Sequence, residues 1–277
     1  MTSGPERGLN WARRDGKFAR LRRARRVWAI AAINGEARRL VVLHDAISQR
    51  FQEGDRAVYL GNYVGHGDAV LATIDELLDF RRRVLGRHRG FACDVVFLRG
   101  AQEEMWQKLL QLQFAPNPSE VLQWMINAGM EVTVRAYGGD LRQGFAATRD
   151  GPRTITRWTG ALRSAMNATP GHTALFSDLR HAVFTEERGL LFVHAAIDPA
   201  RPLAAQGDAF WWGREDILDL GASFDGFRRV VRGVDPQQRG VVESDFAVSL
   251  DGGAGRDGPL IAACFGIDGA VLDIVEA

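Results

Sequence analysis

Three short apolar runs, each ending in a glycine-bearing loop and each followed by a helical pattern, constrain this chain more than any other feature. Residues 27–33 run into Asn34-Gly35. Residues 57–60 run into Gly61-Asn62-Tyr63-Val64-Gly65-His66-Gly67, and residues 94–98 into Arg99-Gly100-Ala101-Gln102-Glu103. Each run is short and bounded by turn residues, the mark of a buried strand. After the first loop Leu40, Leu43, Ile47 and Phe51 fall at helical spacing, and apolar positions predict further helices over 69–85 and from 103 to 112. Strands alternating with helices require crossover connections, hence a mainly parallel sheet. In such a sheet ligands bind outside the carboxyl ends of the strands, where these three loops fall.

From 114 to 178 the pattern is helical and broken by turns at Pro116, Pro118, Gly138-Gly139, Gly151-Pro152 and Pro170-Gly171. This stretch is expected to be a helical insertion capping the loop face. Strand patterns return at 181–185, 189–194, 241–250, 260–267 and 270–276, with hairpin turns at 186–189 and 268–269. They predict a second, mostly antiparallel sheet packed on the first. The fold class is therefore α/β, an α+β sandwich of two mixed sheets flanked by helices, with residues 26–277 forming one domain.

Hydrophobic content of 46% and charged content of 25% in 277 residues are ordinary for a globular chain. A net charge of +1 excludes a generally basic, nucleic-acid-type surface. No apolar run reaches the roughly 20 residues that span a bilayer. Cys93 and Cys264 lie in apolar stretches and are expected to be buried, reduced thiols of a cytoplasmic protein. Residues 1–25 are expected to be a flexible lead-in. The stretch from Arg13 to Arg26 carries eight cations against Asp15. A basic arm for anionic lipid or nucleic acid is the alternative, with no residue pattern choosing between them.

The three loops resemble those of the calcineurin-like metallophosphoesterases, in the bacterial branch of the serine/threonine phosphoprotein phosphatases. That family's loops read G-D-x-H-G, G-D-x-x-D-R-G and G-N-H-E. Residues 192–199, Phe-Val-His-Ala-Ala-Ile-Asp-Pro, resemble its F-V-H-A-G stretch, and 230–236 resemble V-V-x-G-H-T-P. Stretches 210–214 and 246–262 are similar as well, so the resemblance runs from about 26 to 276. It implies the family's two-sheet fold and, for an intact member, two divalent metals activating a water for in-line attack on phosphorus.

Aligned position by position, the family's metal ligands have mostly changed. They fall on Ala32, Asn34, Asn62, Ala101, His194 and Val234, and the general-acid histidine falls on Gln102. Only His194 matches. The expectation is accordingly no metal cofactor and no catalytic residue. Three residual chemistries remain open. His66 and His194 with Glu103 would make a mononuclear site, although Glu103 equally suits a helix cap. Arg99, Arg214, His194, Asn62, Asn34 and His66 would make a metal-free pocket for a phosphate, with guanidinium forks supplying the charge, although Arg99 equally suits a pair with Glu103 or Glu104. His44 and Asp45 read most simply as one half-buried and one solvated helix residue.

The leading expectation is a pseudophosphatase, a binding or regulatory module for a protein partner or a phosphorylated ligand. The alternative is a phosphoesterase with a remodelled site. Of the tryptophans Trp106, Trp124, Trp158, Trp211 and Trp212, most are expected in the core, with any exposed subset marking a partner surface.

Overall fold

The computed structural model describes residues 16–87, 90–213 and 215–277. Strands β1 (Phe18–Leu21), β2 (Arg26–Ile30), β3 (Asp55–Tyr59) and β4 (Val95–Phe97) open the chain, with helices α1 (Ala37–Arg50) and α2 (Val70–Leu85) as crossovers. Helix α3 (Ala101–Leu109) leads into the insertion, built from α4 (Pro118–Met125), α5 (Glu131–Ala136), α6 (Leu141–Asp150), α7 (Pro152–Ala168) and α8 (His172–Ser177). Strands β5 (Ala182–Thr185) and β6 (Leu190–Val193), the short helix α9 (Ala209–Trp212), then β7 (Arg229–Arg232), β8 (Val242–Glu243), β9 (Ala247–Ser249), β10 (Ile261–Gly266) and β11 (Val271–Glu276) complete it.

Two sheets form, ordered β11-β10-β2-β3-β4 and β1-β5-β6-β7-β9-β8. The parallel register of β2, β3 and β4 is as the crossover pattern requires. Alternation along each strand sends side chains to different layers. Trp28 and Ile30 of β2 pack under α1 and α2, whereas Val27 and Ala29 face the second sheet. There they join Val58, Phe192, Val231 and Val248, and Phe192 meets Phe265 across the layers at 6.1 Å. The insertion has its own core around Trp106, Tyr137, Trp158 and Met166.

Several expectations are corrected. The hairpin β10–β11 extends the first sheet, because β10 pairs antiparallel with β2 (Ala262 opposite Ile30). The second sheet is mixed rather than mostly antiparallel: β1 with β5, β6 with β7, and β7 with β9 are parallel. The single strand expected over 241–250 is split into β8 and β9 around a turn closed by Ser244. Strand β7 has only four residues, too few to show alternation. Residues 1–15 of the expected arm lie outside the described residues. Within it, however, Phe18–Leu21 is sheet, because Phe18 and Leu21 bury themselves beside β5. Cys264 is buried as expected, but Cys93 is exposed.

His44 is fully buried, stacked on Phe80 at 4.0 Å, with its nitrogens bonded to Glu76 (2.5 Å) and the Tyr59 hydroxyl (2.7 Å). It is a core histidine with both polar atoms partnered. Among the described residues no helix is long and apolar enough to cross a membrane.

Because Leu21 is wholly buried in β1, Leu21→Ala is expected to cost about 2–4 kcal/mol in denaturant unfolding. A value near zero would return this segment to the status of a lead-in.

Candidate functional site

The first three loops meet at backbone distance. A Cβ at Gly100 would stand 2.2 Å from the Asn62 amide nitrogen, and one at Gly61 would stand 2.6 Å from the Gly100 Cα. Glycine is required at both points because nothing larger fits between the chains. The buried carboxylate of Glu103 ties this crossing together. It accepts the amides of Asn62 (2.9 Å), Tyr63 (2.8 Å) and its own helix start, Gly100 (2.9 Å). Burial raises its pKa, while these amide bonds pull in the opposite direction. Glu103 is therefore a loop fastener, and its oxygens are spent on backbone.

His194, at the end of β6, is completely buried. Its Nδ1 is 2.6 Å from the Leu60 carbonyl, so that nitrogen carries the proton and donates. Nε2 is buried and bare. Burial lowers the imidazole pKa to about 4, against a smaller raising effect of the Leu60 bond. The neutral ring thus presents an unpartnered lone pair.

Asn34, Asn62 and His66 all sit in the left-handed backbone region, at φ of 53°, 53° and 51°. Asparagine tolerates this and histidine less so. Clustered strain of this kind persists only where surroundings enforce it. Asn62 Oδ1 accepts the Gln102 amide at 3.0 Å. Asn34 Nδ2 donates to the Ala254 carbonyl at 2.8 Å, and its Oδ1 is buried without a partner.

The insertion encloses the second loop. Thr133 Oγ1 accepts the Gly65 amide at 3.1 Å, and Gln102 Nε2 donates to the Ala128 carbonyl at 2.7 Å. A π-helical turn at Ile126–Met130 brings Gly129 (φ 97°) against His66. A Cβ there would stand 2.7 Å from the His66 ring. Burial, then the Arg256 charge, lower the His66 pKa. Gln102 itself fills the space over Gly65, where a Cβ would meet its side chain at 2.5 Å.

Arg99 departs from the expected phosphate pocket. Its guanidinium is committed to Glu104 (3.1 Å) and Gln107, and it lines a cleft between α3, α7 and α8 together with Arg163. None of the other expected phosphate-binding residues lines that cleft. Arg214 lies outside the described residues.

No family model and no curated protein matches the chain. Solved structures do. A candidate diadenosine tetraphosphatase superposes with a TM-score of 0.57 at 18% identity, covering 94% of this chain and 98% of that one. A cold-active protein-tyrosine phosphatase of a Shewanella species gives 0.50 at 14% identity, covering 93% and 83%. The chain has the calcineurin-like phosphoesterase fold. A metallophosphoesterase from Sphaerobacter thermophilus is also similar, at 0.47 and 13% identity, covering 92% and 88%.

These neighbours correct one expectation. A fold shared with phosphatases of known structure gives no ground for expecting that no cofactor is bound, and the expectation of none is overturned. The residues present nevertheless do not fit the family's two-metal centre. Among the described residues no group of three or more His, Cys, Asp and Glu side chains stands close enough to share an ion. Ala32, Ala101 and Val234 carry no donor atoms, and the Glu103 oxygens already bind amides. The mononuclear set of His66, His194 and Glu103 is likewise not assembled.

A second polar cluster was not legible beforehand. Buried Arg232, at the end of β7, lies 3.0 Å from both Asp216 and Asp235, and Arg239 binds the same two carboxylates at 2.5 and 2.6 Å. Burial alone would raise the Asp235 pKa. The Arg239 hydrogen bond, the Gln237 amide and the two guanidinium charges outweigh it, so the value is lowered. The Arg-x-x-Asp-x-x-x-Arg spacing of 232–239 was its one sequence signal.

For His194 the folded pKa of about 4 lies below the ordinary 6.5, so between those values the folded state binds fewer protons. Its contribution is full above the unfolded value and is lost as pH falls toward 4, a loss of about 3 kcal/mol. Unfolding measured from pH 7 to 4 should show this slope, flattened in His194→Gln. An identical slope in the variant would remove His194 as its source.

Glu103→Ala leaves the buried amides of Asn62, Tyr63, Val64 and Gly100 without this acceptor and is expected to cost about 3 kcal/mol or more. A loss below 1 kcal/mol would show that the loops are held by other contacts.

Proposed function

We propose that this protein uses a phosphoesterase fold as a binding or regulatory module for a protein partner and does not hydrolyse phosphate monoesters. The observation that carries this reading is Gln102. It stands where the leaving group would be protonated, has no proton to give at neutral pH, and is bonded across to Ala128 of the insertion. The same side chain occupies the space over Gly65 that a reacting group would need. Asn62 stands at the bridging position with a neutral amide already bonded to the Gln102 backbone. Of the two ligand classes expected, a phosphorylated one is the less supported, because Arg99 is neutralised by Glu104 away from the loop face.

A remodelled phosphoesterase is the second reading, favoured by the bare, buried Nε2 of His194. It requires partners that Glu103 and His66 do not supply in this arrangement.

The two are separated by turnover of p-nitrophenyl phosphate with manganese added, so that lack of metal is not the limiting factor. The expected result is no release above background. Robust turnover abolished by His194→Ala would overturn the leading reading in favour of the second.

A further inference from the structure

A cleft of about 480 Å³ opens beside the vacated loop face, at the carboxyl ends of β6 and β7. Ala195 and Val234 line its inner part, Trp124 and Trp212 form an aromatic wall, and Glu215 and Asp216 supply carboxylates. Its volume lies within the range of small-ligand sites.

Trp124 is 49% exposed, an unusual cost for the largest apolar side chain. Helix α4 of the insertion holds it edge-on to Trp212 at 6.3 Å, and Trp212 in turn meets buried Trp211 at 6.0 Å. Indole faces carry negative potential and attract cations. The chain already uses one of them: the Lys108 ammonium lies 5.4 Å from the Trp212 ring centre.

The charges point the same way. Asp216 and Asp235 share Arg232 and Arg239, whereas Glu215 has no ion-pair partner among the described residues. Among the described residues three carboxylates, Glu215, Asp216 and Asp235, stand against the two guanidiniums of Arg232 and Arg239, a balance that favours a cation over a phosphate.

We propose that this cleft is the partner-binding site and takes an arginine side chain from a protein partner, stacked on Trp124 and paired with Glu215. Arginine fits better than lysine because its planar guanidinium stacks on an indole while forking onto a carboxylate. The proposal rests on the reading of the chain as a binding module and supplies that module with a recognition chemistry.

The test is a titration of the intact protein with acetyl-Gly-Arg-Gly-amide, followed by NMR of the indole N–H signals, with acetyl-Gly-Glu-Gly-amide as the opposite-charge probe. The expected result is saturable movement of the Trp124 and Trp212 signals with the arginine peptide alone, weakened by added salt. Trp124→Ala should weaken binding about fivefold or more. Glu215→Gln, a surface change that leaves the fold intact, should weaken it and reduce its salt dependence. Equal response to the glutamate peptide, unmoved indoles, or binding unchanged in both variants would overturn the proposal. Unmoved indoles without p-nitrophenyl phosphate turnover would remove this cleft and spare the module reading. Turnover would remove that reading whatever the indoles do.

Discussion

The carboxylate of Glu103 holds two backbone segments together and, through one of them, a third. Its oxygens accept amides from Asn62, Tyr63 and Gly100, so the loop after β3 and the start of α3 are fixed against each other. The near-contact of Gly61 with Gly100 depends on that fixation. So does the bond from the Gln102 amide to Asn62, since both residues sit within the clasped segments. The first loop is tied in at second hand, through the Ile33 and Asn34 amides on the Asn62 carbonyl. One buried side chain thereby fixes the geometry of the loop face.

This separates scaffold from chemistry. The strained residues Asn34, Asn62 and His66 retain left-handed backbone, yet the first two spend amide groups on local bonds and the third lies under the insertion. His194 keeps its proton on Nδ1 and its lone pair on Nε2, as a ligand histidine would, without other ligands around it. The arrangement has the shape of a phosphoesterase site and a different distribution of donors.

Much of the fold was legible because strong periodic runs carried it. The strands at 27–33, 57–60 and 94–98 and their crossover helices needed only local pattern. What stayed hidden was non-local or short. Phe18–Leu21 has four residues and a basic neighbourhood, so its pairing with β5 has no local signature. The hairpin β10–β11 announces itself, but not which sheet it joins; that is set by β2 offering a free edge. At the site, the empty ligand positions were readable from residue identity. The insertion's grip on Gln102 and His66 was not, because Ala128 and Gly129 act through a carbonyl and a missing Cβ. The exposure of Trp124 was equally invisible, since helical spacing in α4 does not say what lies beside it.

The bond from Gln102 to Ala128 bears on any attempt to build a charged site among these loops. Replacing Asn62 with the aspartate of the resembling phosphoesterases would put a charge against Gln102, which the insertion already holds at Ala128. That charge would stand beside the buried carboxylate of Glu103, and the two would repel one another without a cation between them. Such a change would therefore act on the backbone at Ile126–Met130 too, through the Ala128 carbonyl that holds Gln102. The chemistry open to this loop face is set by the position of a helical turn as much as by the identity of the side chains at the strand ends.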